Sequence, residues 1–339
     1  MTPGIDDNSV RRMEPLNRGS FAMTPKRKRS RWLKLLAIVS LLCVAGGIWQ
    51  AVMIKMELRT YLPEGQTYLV NGHNMHLYGA GEGEGTVVFI TGSGTPNAYT
   101  DFYALMNELQ PYARTVTFDH AGFGWSETTS IPRDFHTVSN ELHELLQTAG
   151  EQAPYLLVAH SLASLEALSF AQQYPDEVKG IVLLDGGSPE FYAKESEWKA
   201  YALNRFFAGM RVTGFARALG AAGILLPFYG ENIRYKGLPE EVKGVDVAMY
   251  YSHIGSSSNI SVLKHINENA QAVMEGGYLK GIPLLILSSD SGGSWEGVQK
   301  QLLNWSDESR QETLPRSSHY IHWSNQKTVI SKIVEMLSH

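Results

Sequence analysis

The sequence predicts a mixed α/β fold: a doubly wound, mostly parallel sheet carrying a helical insertion, preceded by one membrane-spanning helix. Short apolar runs without alternation, at 86–90 and 181–184, have the pattern of strands buried on both faces. Stretches with apolar residues at helical spacing separate such runs, and that alternation implies parallel βαβ units with right-handed crossovers. A 20-residue apolar segment, 35–54, comes before all of it. The chain has 339 residues, 43% of them hydrophobic, which is ample for a core and excludes disorder, collagen and coiled coil. Its single cysteine, Cys43, excludes an internal disulfide framework and a metal site built from cysteines.

Charge is unevenly distributed. Residues 1–34 hold nine Lys/Arg against three Asp/Glu, or +6, so the overall −5 leaves −11 on the remainder. An acidic main body argues against nucleic acid as a partner. Residues 1–34 read as a basic cytoplasmic tail, and its first 25 residues carry no apolar periodicity. Within 35–54 the clearly polar residues are Ser40 and Gln50. At 1.5 Å per residue this segment spans about 30 Å as a helix, the thickness of a bilayer's hydrocarbon core. Lys26, Arg27, Lys28, Arg29, Arg31 and Lys34 precede it, whereas Lys55 and Arg59 follow. The positive-inside rule therefore leaves the N-terminus in the cytoplasm and everything beyond residue 55 outside. Trp32 and Trp49 stand near the two ends, where indole rings favour the interface. A cleaved signal peptide would carry an apolar region of roughly 7–15 residues ending in an A-x-A-like site. Val44-Ala45-Gly46, in mid-segment, is a poor site, and Leu42 before Cys43 is not the small residue of a lipoprotein signal. The segment is expected to stay attached as a signal anchor, with the folded domain occupying 60–339.

Residues 67–70 and 75–78 flank Asn71-Gly72 and read as a β-hairpin, because Asn-Gly tolerates the positive φ of a tight turn. After the glycine-rich 79–85 comes the strand at 86–90. Phe102, Leu105, Met106 and Leu109 mark a helix that Pro111 closes. Strand 115–118 follows, then a helix bearing Val138, Leu142, Leu145 and Leu146, strand 155–159, helix 162–173 and strand 181–184. Much later come strand 284–287 and a final helix with Val329, Ile330, Ile333, Val334 and Leu337 on one side. The interval 187–281 breaks this rhythm, with helices expected at 191–207, 212–226 and 247–254. A structureless loop of that length is improbable in a compact domain. Ligands bind at the C-terminal edge of such sheets, so a helical insertion there reads as a lid.

Ser161 lies between strand 155–159 and helix 162–173, within Ala159-His160-Ser161-Leu162-Ala163. A serine on such a sharp turn projects its hydroxyl from the sheet edge, provided the residues two before and two after are small. Glycine is usual there and alanine is the least costly replacement. A serine can equally cap a helix, so the surrounding residues decide. His319, in Ser317-Ser318-His319-Tyr320-Ile321-His322, follows the last strand and precedes the last helix. Its loop can return over the sheet edge, and imidazole has the pKa to take a serine proton near neutrality. His322 reads as a structural neighbour of His319, and His160 as pointing away along the turn. His143-Glu144 begins an H-E-x-x-H pattern that the following residues do not complete, which removes a metalloprotease. A carboxylate should orient the imidazole, and Asp185 and Asp290 both follow strands ending at the correct edge. Two backbone N–H groups should receive an oxyanion: Leu162, and Ser93 in the loop Thr91-Gly92-Ser93-Gly94. That loop lacks the spacing of a nucleotide fingerprint.

Taken in order, Thr91–Gly94, Asp119-His120-Ala121-Gly122-Phe123-Gly124-Trp125-Ser126, Ala159–Ala163, Val182-Leu183-Leu184-Asp185 and Ser318–His322 resemble the α/β-hydrolase fold family across about residues 65–339. The resemblance implies an eight-stranded sheet with its lid between strands 6 and 7, a Ser–acid–His triad, and no metal or cofactor. Three departures stand out: alanine replaces both elbow glycines, threonine replaces the usual histidine before the oxyanion glycine, and Asp290 arrives about two residues early for the family's commonest acid. Relatives with the Gly-x-Gly-Trp-Ser motif often use the aspartate of the preceding strand, which favours Asp185 over Asp290. A serine nucleophile argues against haloalkane dehalogenase and epoxide hydrolase chemistry, which use aspartate there. The expected activity is hydrolysis of a carboxylic ester, outside the membrane, on a small-molecule or lipid-like acyl substrate. The alternative is a ligand-binding or signalling protein on the same fold.

Overall fold

The computed structural model describes residues 26–194, 196, 198–224 and 232–338. The first 25 residues of the expected tail lie outside them, as do the last two residues of the helix expected at 212–226. One long helix, α1 (Lys26–Thr60), contains the expected 35–54 segment, and from Arg31 onward it is long and apolar enough to cross a membrane.

The sheet starts with the expected hairpin. Strands β1 (Gln66–Val70) and β2 (His73–Ala80) pair antiparallel with Val70 opposite His73, and the turn residues Asn71 and Gly72 take φ of 45° and 80°. Positive φ at both central residues is what a two-residue hairpin turn requires. Next come β3 (Thr86–Ile90), α2 (Ala98–Leu109), β4 (Arg114–Phe118), α3 (Phe135–Ala149), β5 (Tyr155–His160), α4 (Ala163–Gln173) and β6 (Val178–Leu184). Helix starts are capped from the sequence: Asn97 accepts the Thr100 N–H and Asp134 accepts that of Thr137. Gly150 ends α3 in the left-handed conformation.

Between β6 and β7 the described residues form α5 (Pro189–Tyr192), α6 (Trp198–Val212), α7 (Phe215–Ala221), α8 (Asn232–Gly237), α9 (Glu240–His253), α10 (Ser257–Lys264) and α11 (Ile266–Gly276). The insertion is thus helical as expected but cut into shorter pieces. The expected helix 191–207 overlaps both α5 and α6, and α8, α10 and α11 were not anticipated, since their apolar residues are sparse between polar ones. The chain then closes with β7 (Leu284–Ser289), α12 (Ser294–Gln301), β8 (Ser309–Leu314), α13 (Ile321–Ser324) and α14 (Gln326–Leu337).

Eight strands run in the order β1-β2-β4-β3-β5-β6-β7-β8. All neighbours from β4 through β8 are parallel, and β1 and β2 are antiparallel additions. Alternate residues of the central strands enter two separate cores. Val88, Ile90, Leu157 and Ala159 face α3 and α4 residues such as Leu142 and Leu165. Val87, Phe89, Leu156 and Val158 face Phe102, Leu105 and Ile333 of α2 and α14. Burial on both sides is why these runs lack polar alternation. Parallelism also brings the C-terminal ends of β3, β5, β6 and β7 to one edge, where the loops bearing the candidate residues emerge.

Candidate active site

Ser161 occupies the two-residue turn between β5 and α4 with φ of 56°, in the left-handed region that non-glycine residues avoid. Such a conformation costs on the order of 1–3 kcal/mol and persists where its surroundings hold it. Here the Ser161 N–H donates to the Leu184 carbonyl at 3.0 Å, tying the turn to β6. Ala159 and Ala163, flanking it at two residues' distance, are both buried, so their small size has a packing cause. Asp185 sits at the matching point after β6, with φ of 51°, and its N–H donates to Leu287 at 2.8 Å. Two adjacent parallel strands thus end in the same strained backbone, side by side.

His319, carried by the loop between β8 and α13, joins the two. Its Nε2 lies 3.0 Å from Ser161 Oγ and its Nδ1 2.7 Å from Asp185 Oδ2. With Nδ1 donating to the carboxylate, Nε2 is left free to accept the serine proton. The Asp185 carboxylate is buried, and burial alone would raise its pKa. Hydrogen bonds from His319, the Ser289 N–H and Gln299 outweigh that cost and hold it below the usual carboxylate range. Oδ1 accepts from Ser289 N and Gln299 Nε2, each at 2.6 Å, and Oδ2 also accepts from Trp295 Nε1 at 3.1 Å.

The structure separates the two candidate acids. Asp290 is exposed and does not reach His319. It accepts the backbone N–H groups of Arg316 and Ser317, bracing the turn that leads into His319. Those N–H groups lower its pKa as well.

The loop Thr91–Gly94 lies against the serine turn. A Cβ on Gly92 would sit 3.0 Å from His160 Nδ1 and 3.1 Å from Ser161 Cβ, so any side chain there would push these neighbours back by a few tenths of an ångström. Ser93 Oγ donates to Asn259 Oδ1 of α10 at 2.8 Å, fixing the loop from above. The N–H groups of Ser93 and Leu162 have no acceptor among the described residues.

His160, expected to point away along the turn, packs against the His319 segment. Its Nε2 lies 3.1 Å from the His319 carbonyl and its ring packs 4.8 Å from that of His319. Burial, then the neighbouring His322 and His319, push its pKa down to about 3, so it is a neutral donor to that carbonyl. Behind it, His322 Nε2 approaches Asp101 Oδ1 at 3.3 Å, and Arg234 pairs with Asp101 at 3.2 Å and with Asp246 at 3.1 Å. Burial would raise the Asp101 pKa, yet the facing His322 and Arg234 hold it well below the usual range. This buried chain of charges ties α2, α8, α9 and α13 together beneath His319.

The Asp119–Ser126 segment forms the turn beside β4. The buried Asp119 accepts from Asn97, the Ala98 and Trp125 N–H groups and His76, and a side chain on Gly124 would collide with its carboxylate. Two cavities border the Thr91–Gly94 loop. One of about 50 Å³ is lined by Leu162, Ala163, Phe135 and the bonded pair His120–Glu166. The other, about 240 Å³, is lined by Ala200, Asn204, Tyr250 and Tyr320, and shares Ser93, Gly94 and Asn259 with the first.

Sequence reasoning missed Trp295 and Gln299, because α12 has few apolar residues to mark it as a helix. It also missed Asp101, Arg234 and Asp246, whose pairing is invisible until the insertion folds back on α2. The charged residues inside otherwise apolar helical patterns were the available signal.

Residues 85–326 match the model of the alpha/beta hydrolase fold family. The chain is 28% identical over 264 residues to the uncharacterized protein YbdG of Bacillus subtilis (strain 168), covering 77% of this chain and 79% of that one. It is 34% identical to a (lyso)-N-acylphosphatidylethanolamine lipase of Bos taurus over 83 residues, 24% of each. Its fold is similar to that of the enol-lactonase from Burkholderia xenovorans LB400, with a TM-score of 0.62 and 18% identity over 81% of this chain and 100% of that one. An epoxide hydrolase from Vigna radiata is similar at a TM-score of 0.63 and 16% identity, over 81% and 98%. Eight strands in this order, and a family match spanning well over half of the chain, make this protein a member of the α/β hydrolase fold family.

Proposed function

We propose that this protein is a membrane-anchored serine hydrolase that cleaves a carboxylic ester through an acyl-enzyme, on the extracytoplasmic side. One observation carries the reading: a serine on a strained strand-to-helix turn, 3.0 Å from an imidazole whose other nitrogen is 2.7 Å from a buried carboxylate. Ser161 Oγ attacks the substrate carbonyl while His319 Nε2 takes its proton. The carbonyl oxygen becomes an oxyanion held by the Leu162 and Ser93 N–H groups. Collapse breaks the ester bond, and His319 returns the proton to the departing alcohol. Water, deprotonated by His319, then releases the acid and restores Ser161. Asp185 keeps the imidazole in the required tautomer and offsets its charge.

Serine at the turn supports acyl transfer over the epoxide chemistry of the Vigna neighbour. The insertion at 187–281 acts as a lid whose residues wall the larger cavity, and the α1 anchor keeps the domain beside lipid, which favours a lipid-like ester. The test is a fluorophosphonate probe and a panel of esters of graded acyl length on the full chain. Labelling and turnover should both disappear in Ser161→Ala. An unlabelled wild-type protein would favour the non-catalytic, ligand-binding reading, which the alanines at 159 and 163 motivate.

A further inference from the structure

An apolar helix face normally packs inward and leaves polar residues to water. Helices α6 and α7 bury Phe207 and Ala216 but present apolar residues outward as well. From Phe206 to Ile224 every exposed position lacks a polar side chain: Phe206, Val212, Phe215 and Ile224 stand out among exposed glycines and alanines. The exposed positions recur every three residues from Leu203 through Phe206, Gly209, Val212, Phe215 and Ala218, across both helices. No Asp or Glu occurs between Trp198 and Ile224. Two cations fall within 206–224, and both are satisfied internally: Arg211 donates to the Ile254 carbonyl at 3.0 Å, and Arg217 donates to Glu57 and to Gln50. The exposed bases are Lys199, at the start of α6, and Arg205, at its middle next to Phe206.

Helix α7, its connection to α6 and Tyr251 of α9 contact α1 at residues that the sequence assigns to the membrane. Gln50, the second polar residue of 35–54, is buried; its Nε2 donates to the Tyr251 carbonyl at 2.7 Å and its Oε1 accepts from Arg217 Nε at 2.7 Å. An amide within hydrocarbon needs such partners. One turn earlier, about 6 Å along the helix, a side chain on Gly46 would collide with the Thr213 carbonyl, and one on Gly214 would collide with that of Gly46.

We propose that the α6–α7 face is a second membrane-seated surface, immersed in the outer leaflet of a phospholipid bilayer beside α1. This rests on the anchor reading above and deepens it. Contacts at Gly46 and Gln50 set the depth, Phe206, Val212 and Phe215 meet acyl chains, and Lys199 and Arg205 meet headgroup phosphates. Ala200 and Asn204 of α6 also wall the larger cavity, so the helix that carries the face borders the space beside Ser93 and Gly94.

The test uses the full chain with Cys43→Ser, reconstituted in phosphatidylcholine–phosphatidylglycerol vesicles. Single cysteines replace Phe215, Val212, Leu41 or Tyr112 and carry an environment-sensitive fluorophore, with fluorophosphonate labelling confirming each variant's fold. Leu41 reports on the anchor, Phe215 and Val212 on the proposed face, and Tyr112 is an exposed position before β4. Blue-shifted emission at Leu41, Phe215 and Val212, quenched several-fold more by nitroxide-labelled acyl chains than at Tyr112 and shielded from iodide, is the expected result. Quenching at Leu41 with iodide-accessible labels at Phe215 and Val212 would overturn the surface while leaving the anchor intact. Absence of quenching at all positions would overturn both.

Discussion

The parallel sheet and the insertion between β6 and β7 use apolar residues in opposite senses. In the sheet, Val88, Phe89, Leu157 and Val182 are wholly buried and the chemistry-bearing residues are pushed to the strand ends. In α6 and α7 the large side chains Phe206, Val212 and Phe215 face outward, while Arg217 is buried. Both arrangements follow one rule: polar groups need partners, and apolar surface leaves water. The sheet obeys it with water outside, which makes its outline readable from sequence. The outward face obeys it if the outside is lipid, which water-based patterning rules do not anticipate.

The largest effect separating the two regions should be chemical. Ser161→Ala and His319→Ala are expected to lower kcat by about 10⁴-fold or more, as for other serine triads, without lowering the thermal midpoint. Steady-state kinetics and thermal melts check this, and equal loss from substitutions at exposed α6 positions would erase the distinction. Asp185→Asn should follow at about 10⁴-fold, because the amide cannot fix the imidazole tautomer. Asp290→Asn should cost less than about tenfold, since its hydrogen bonds brace a loop and do not reach the imidazole.

Stability sharpens the same contrast. Leu157→Ala removes a side chain packed in the sheet core and should cost about 2–5 kcal/mol in denaturant titrations. Val212→Ser, at an exposed position, should change stability in detergent by no more than about 0.5 kcal/mol. A comparable loss at both sites would mean that the α6–α7 face packs against protein after all.

Acid should act through the sheet edge and its supports. Asp101, Asp119 and Asp185 all have folded-state pKa values below their ordinary range, because partners outweigh burial. Each therefore adds stability above the unfolded-state value, and that stability is lost as pH falls from about 4 toward the lowered folded values. Asp119→Asn should lower stability at pH 7 and flatten the acid limb of stability against pH. An acid limb as steep as the wild type's would contradict this.

How much was legible follows from where the partners lie. Ser161, His319 and the 91–94 loop stood out because strand, turn and helix signals are local in sequence. β1 through β7 were readable for the same reason, whether by hairpin chemistry or by unbroken apolar runs. β8 was not, because Ser309–Leu314 is an edge strand with one buried residue and no apolar pattern. The choice between Asp185 and Asp290 could not be made from strand ends, which serve both equally. It turns on contacts over 104, 110 and 114 residues of separation, from Ser289, Trp295 and Gln299. Likewise, the charged chain from Asp101 to Arg234 crosses 133 residues, and pairing at that range leaves no mark on local periodicity.

The smallest effect tests that support directly. Trp295 donates its indole N–H to Asp185 Oδ2, the same oxygen that His319 engages. In Trp295→Phe the ring's bulk is largely kept while one donor is lost, so more of the carboxylate's charge is offered to the imidazole. The His319 imidazolium becomes easier to form, and the acid limb of kcat/KM should move to higher pH by less than about one unit. Turnover on the alkaline plateau should fall only a few-fold. An unmoved limb would mean that Trp295 merely fills space beside Phe191, against which its ring packs edge-on at 5.5 Å.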